Sequence, residues 1–271
     1  MNQLYFLHIP KTAGKFISKC ILDSIPEHSG SLYISTHFPN NKEFLLDKIY
    51  ISAHAGTYIP ETIDDVDVAT IVRHPVDARA SYFNFIYHMY LDTRKEYMDL
   101  GTMKEKFFYY LFEDNNFLSH NNYQSRFLCN PSDSRSWDRK QYFKESNDIL
   151  KKYQNGLAFD WFVGNEKTSL ELAIENLSKF KIKNTVARID LFLKDISDWF
   201  LSNHGLVINF NKSDRINESL STHNEKSYSS KDLIEMLSEK DIENILHLNS
   251  IDYAIYNFVK DIEEQNDTEP R

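Results

Sequence analysis

The chain has 271 residues, enough to bury a substantial core in one large domain. Its 41% hydrophobic and 14% aromatic content excludes disorder over most of the length. A formal charge of −9 excludes non-specific binding to a nucleic-acid backbone, so any anion site has to be a local basic pocket.

Residues 4–9 form a short apolar run suited to a buried strand, and residues 13–25 then change period. Phe16, Ile17, Cys20, Ile21 and Ile25 fall on one helical face before Pro26 halts the helix. Residues 32–35 and 49–53 read as a second and a third strand. Residues 66–72 make the clearest interior strand, with β-branched side chains at Val66, Val68, Thr70, Ile71 and Val72. Pro75 opens the next helix, where a missing amide costs nothing, and the helical pattern runs on over residues 78–90.

Aromatic-rich helices follow over residues 103–112 and 116–128, and a Ser- and Asp-rich loop covers residues 131–137. Residues 158–163 read as a strand, 166–180 as a helix, 185–189 as a return to the sheet and 196–201 as a helix. Residues 211–230 form a polar loop. The C-terminal pattern is helical over 231–237 and again over 240–258, with Ile242, Ile245, Leu246 and Tyr253 facing inward. Residues from Glu263 onward read as frayed.

Strands alternating with helices predict an α/β fold: a central, mostly parallel sheet flanked by helices, with one domain over 1–262 and a flexible tail over 263–271. Ligands in such folds sit beyond the carboxyl ends of the strands, where His8, Lys11, His54 and Arg73 fall. No run approaches the ~20 apolar residues of a membrane span. The first strand starts almost at Met1, which leaves no room for a signal peptide and sets cytoplasmic as the expected location. Cys20 and Cys129 read as reduced thiols.

Two strand–loop–helix joints stand out, YFLHIPKTAGK at 5–15 and ATIVRHPVDARASYF at 69–83. At the first, free helix amides and Lys11 can cradle an anion, and Gly14 lets backbone approach it closely. The GxxxxGK[ST] frame is absent, and Phe16 stands where a magnesium-binding hydroxyl would follow Lys15, which speaks against an ATPase. At the second, the Arg73 fork and the Ser81 hydroxyl can meet a terminal phosphate. For Lys11 and Arg73 alike, an ordinary surface or salt-bridge role stays open on local grounds.

HIPKTAG at 8–14 followed by VRHPVDARASYF at 72–83 resembles the PAPS-dependent sulfotransferases, nearest the carbohydrate branch that includes heparan sulfate 2-O-sulfotransferases and bacterial relatives. The resemblance implies a P-loop-like three-layer fold and a sulfotransferase-like domain. It implies Lys11, with the amides of Thr12, Ala13 and Gly14, at the 5′-phosphosulfate of 3′-phosphoadenylyl sulfate (PAPS). It places Arg73 and Ser81 at the 3′-phosphate and His54 as the base, with 3′,5′-adenosine bisphosphate (PAP) as product. Weaker similarities bring in Arg126 and Asn122 from NYQSRFL at 122–128, and Lys212 with Ser213 from a late loop. The family has a small hydroxyl residue after the glycine, whereas this chain has Lys15, which either adds charge to the anion site or points to solvent.

The expected acceptor is a hydroxyl on a carbohydrate, glycolipid or small molecule, with Tyr87, Asn122 and Tyr123 as contacts. No metal, nucleic acid or membrane partner is expected. Two other classes remain: a non-catalytic nucleotide- or glycan-binding protein, and an ATP-dependent small-molecule kinase.

Overall fold

A computed structural model describes residues 2–33, 43–54, 60, 63, 65–87, 91–114, 121–128, 166–210 and 228–268. Five strands form one sheet: β1 (Gln3–Leu7), β2 (Gly30–Tyr33), β3 (Tyr50–Ala53), β4 (Val66–Val72) and β5 (Ile182–Thr185). Their order is β2-β3-β1-β4-β5, and every described pairing is parallel. The flanking helices are α1 (Gly14–Ser24), α2 (Glu43–Leu46), α3 (Pro75–Ile86), α4 (Lys95–Met98), α5 (Met103–Phe112) and α6 (Tyr123–Leu128). Then come α7 (Glu166–Lys179), α8 (Ile189–His204), α9 (Ser230–Glu235), α10 (Glu239–Leu248) and α11 (Ser250–Thr268).

The three layers follow from the two-residue period of β1, whose five residues are all buried. Tyr5 and Leu7 face one core with Ile51 and Val68, covered by Leu177 of α7 and by Ile255 and Val259 of α11. Leu4 and Phe6 face the other, with Ile71, covered by Ile17 and Ile21 of α1 and by Phe192, Ile196 and Phe200 of α8. A third cluster is purely helical and joins Phe83 and Tyr87 to Phe107, Tyr110, Leu233 and Ile245. Among the described residues, no helix is long and apolar enough to cross a membrane.

Parallel register sets the geometry of one sheet edge. Leu7 lies beside both Ala53 and Thr70, so β1, β3 and β4 end nearly together. The chain leaves β1 toward β2 on one side and leaves β4 toward β5 on the other. The crevice beyond β1 and β4 is therefore the switch point at which open α/β sheets take ligands.

Five expectations need correcting. The returning strand is Ile182–Thr185, not 185–189. Thr185 pairs with Val72, the last residue of β4, and beyond it β5 has no partner strand, so Val186–Arg188 turn as a 3-10 helix into α8. The helix expected over 196–201 is longer, from Ile189 to His204, and stops at Gly205 with φ 66°, a left-handed cap. The single helix expected over 240–258 is two: Asn249 ends α10, and its Nδ2 donates to the Ile245 carbonyl at 2.8 Å. Tyr253, expected inward, is 36% exposed.

The fifth concerns the tail expected to begin at residue 263. The helix continues to Thr268, and Glu263 is only 3% exposed. Its carboxylate accepts from the Thr185 amide at 2.7 Å and from the Thr185 hydroxyl at 3.0 Å. A buried amide left over at the end of β5 is thus satisfied from α11, which holds the C-terminal helix against the sheet. Strand 158–163 and loop 131–137 lie outside the described residues, as do Lys212, Ser213 and Cys129. Cys20 is a buried free thiol.

Candidate functional site

The loop after β1 is wound tightly. Lys11 and Ala13 both adopt left-handed backbone, with φ 69° and 66°, and Ala13 caps α1 without any side-chain hydrogen bond to the helix. The N-cap side chain therefore takes none of the first-turn amides of α1, the groups that an anion at a helix start can bond. Buried Thr12 closes the turn through its hydroxyl, which donates to the Ile9 carbonyl at 2.7 Å. Gly14 is required for a packing reason. The His8 ring lies over it, and a β-carbon there would overlap the imidazole. We expect Gly14→Ala to lower stability by about 1–3 kcal/mol, the usual cost of overpacking, read as a lower melting temperature.

His8 makes no hydrogen bond from its buried ring Nδ1 among the described residues, and the ring stacks on Phe6 at 5.6 Å. Its main chain does the bonding: the His8 carbonyl accepts a hydrogen bond from His54 Nδ1. A carbonyl only accepts, so Nδ1 of His54 carries the proton and Nε2 keeps its lone pair. The two rings lie 4.4 Å apart. Burial lowers the pKa of His54, the hydrogen bond to His8 opposes that, and Lys15 adds to it. His8 is pushed well below the usual range by burial, then by His54 and Lys15. Both imidazoles are neutral at pH 7.

Arg73 follows β4 and reaches across the switch point, where its Nη1 donates to the Lys11 carbonyl at 3.0 Å. The two predicted motifs therefore meet in one place. Burial lowers the Lys11 pKa to about 8, reinforced by Arg73 and Lys15. Burial also lowers the Arg73 pKa, opposed by Asp77. Neither cation forms an ion pair with a carboxylate among the described residues. Crowded positive charge at the start of a helix is a setting that an anion would relieve. Lys15 is exposed on the first turn of α1 and acts on this group only through its charge.

Ser81 stands two turns into α3, half-buried, on the stripe that includes Ala78 and Phe85 by helical spacing. That stripe faces the loop after β1, since Lys11 Nζ lies 4.4 Å from the Phe85 ring centre and Ala78 lines a recess with Pro10, Lys11, Tyr82 and Tyr123. Arg79 is buried and lies against the Tyr110 ring, its guanidinium 4.5 Å from the centre.

Several expected contacts fall elsewhere. Tyr87 is 3% exposed within the helical cluster, where Lys106 donates to its hydroxyl at 2.9 Å, so it is not a surface for an acceptor. Asn122 does not share a helical face with Arg126. It precedes α6 at φ 53°, and its Oδ1 accepts from the amides of Ile251 at 3.0 Å and Asp252 at 3.2 Å, capping α11. Arg126 is buried with Nη2 donating to the Asn121 carbonyl at 3.0 Å, and burial raises the pKa of nearby Asp252 while the Arg126 charge opposes that. It braces the start of α6. Tyr123 does border the recess.

Sequence reading named Tyr123 as an acceptor contact, and the structure makes it one member of an aromatic row. From His54 the row runs to Phe127 at 6.2 Å, to Tyr123 at 5.2 Å, to Tyr82 at 5.7 Å and to Phe85 at 6.4 Å, ending under Lys11. The aromatic-rich segments pointed to acceptor contacts but not to which residues make the row, because core aromatics on helices have the same spacing. Fold and site together define an α/β protein with a cationic, imidazole-bearing switch point. No protein-family model, curated protein or solved structure matches the chain.

Proposed function

We propose that this protein is a sulfotransferase that moves the sulfuryl group of PAPS to a hydroxyl on a carbohydrate or glycoconjugate. The observation that carries the reading is the bond from Arg73 to the Lys11 carbonyl, which brings the two motifs together at the end of the sheet where His54 bonds the His8 carbonyl. PAPS supplies an already activated sulfuryl group. Lys11 and the amides that open α1 receive the 5′ end, while Arg73, with Ser81 on the facing stripe of α3, receives the 3′-phosphate.

Nε2 of His54 takes the proton of the acceptor hydroxyl as its oxygen bonds to sulfur. The bond from sulfur to the bridging phosphate oxygen breaks, PAP departs with that electron pair, and Lys11 neutralises the charge that develops. The aromatic row gives the acceptor a place to lie: a sugar's C–H face or another apolar ring stacks on Phe127, Tyr123 and Tyr82 with its hydroxyl toward His54. The net charge of −9 favours a short neutral acceptor over a long polyanion.

Calorimetry tests the donor site. PAP is expected to bind more tightly than 5′-AMP, and Arg73→Ala to weaken PAP by about 1.5–3 kcal/mol, roughly 10- to 150-fold, the range for a charge-assisted hydrogen bond. Equal affinity of the wild type for PAP and 5′-AMP would sink the reading. Transfer from labelled PAPS to a panel of hydroxyl acceptors tests the reaction. PAP binding with no transfer to any acceptor would leave a nucleotide- or glycan-binding protein.

A further inference from the structure

We infer that Gln124 is a positioning residue for Arg73, and that through it the C-terminal helix α11 sets the site's selectivity for a 3′-phosphate. The inference rests on the sulfotransferase reading above. The Gln124 side chain lies alongside the backbone of Arg73 and uses both ends of its amide: Oε1 accepts from the Arg73 amide at 2.8 Å, and Nε2 donates to the Arg73 carbonyl at 2.7 Å. Arg73 is the first residue past β4, where the ladder with β5 has ended, so its main-chain groups need partners from elsewhere. Gln124, 2% exposed, supplies both from one rigid group.

Gln124 is in turn held from α11. The buried carboxylate of Asp252 accepts from the Gln124 amide at 3.0 Å and the Ser125 amide at 2.8 Å, capping α6. Asn122 returns the favour by capping α11, and the Asn249 side chain accepts from the Asn122 amide at 3.0 Å. The starts of the two helices thus lock each other, and the lock ends on the backbone of the arginine. A guanidinium recognises phosphate only within a narrow range of direction, so fixing the Arg73 backbone fixes where its fork can point. The same fork is tied at its far end to the Lys11 carbonyl, which leaves it little freedom to drift.

The test is calorimetric titration of wild type, Gln124→Leu, Arg73→Ala and the double variant with PAP and with 5′-AMP, alongside thermal melts. Gln124→Leu is expected to weaken PAP about tenfold or more with 5′-AMP unchanged, and to add nothing to Arg73→Ala. Loss of general stability would move both nucleotides together. If the leucine variant does not fold, Gln124→Met, unbranched and of the same length, deletes the same two hydrogen bonds. A variant that keeps the wild-type preference for PAP, or that loses both nucleotides equally, overturns the positioning role while leaving the donor site standing. A wild type that does not distinguish PAP from 5′-AMP overturns the donor reading and this inference with it.

Discussion

Replacing His54 by alanine is expected to remove nearly all transfer, by about 10²- to 10⁴-fold in kcat, the usual worth of a positioned general base, while PAP affinity stays at the wild-type level. Three features lead to that expectation. The Nδ1 proton is committed to the His8 carbonyl, which fixes the tautomer with its lone pair on Nε2. Burial and the charge of Lys15 keep the ring neutral at pH 7. The aromatic row begins at this ring, so an acceptor lying on Phe127 would bring its hydroxyl there. Retained PAP binding separates loss of the base from collapse of the donor loop. Unchanged turnover in the variant would reject the assignment.

Lys11→Ala should lower kcat by about 10²- to 10³-fold, because the ammonium acts on charge that appears only as the bond to the leaving oxygen breaks. A pH profile gives an independent check. Lys11 loses its proton near pH 8 in the free protein, since burial, Arg73 and Lys15 all disfavour its charge. In the proposed reaction protonated Lys11 is the active form, so kcat/KM should fall as pH rises through about 8. His54 must be neutral, and its pKa is lowered, so the acidic limb lies below the ordinary histidine value. The result is a bell, with neutral pH on its plateau. Lys11→Ala should abolish the alkaline limb and leave the acidic one. An alkaline limb that survives in Lys11→Ala belongs to another group.

How much of this was legible depended on whether the signal was local. The strand over 66–72 was readable because interior parallel strands are β-branched throughout, and Pro75 was readable as a helix start because its ring suits only the first turn. That Lys11, Arg73 and His54 come to one sheet edge was legible because each follows a strand end, and parallel strands place such ends along one edge. Boundaries set by partners were missed. β5 stops at Thr185 because β4 stops at Val72, and the chain is helical past Glu263 because that carboxylate is needed by a Thr185 amide 78 positions away. Tyr87 and Asn122 were misread for the same reason: a tyrosine on a helix and an asparagine before one look alike whether they meet a ligand or the rest of the fold.

Taken alone, the sequence determined the alternating α/β plan, the two basic joints and the histidine beyond the third strand, because strand periodicity and turn chemistry act over a few neighbouring residues. Only the tertiary structure decided that Arg73 bonds to the Lys11 loop, that His54 presents Nε2, that an aromatic row runs from His54 to Lys11, and that Gln124 bonds both main-chain groups of the arginine. Each of those needs at least one contact across tens of residues. Such contacts follow from register, from the packing of helices on the sheet and from the need of every buried amide for an acceptor, none of which is written in any single stretch of chain.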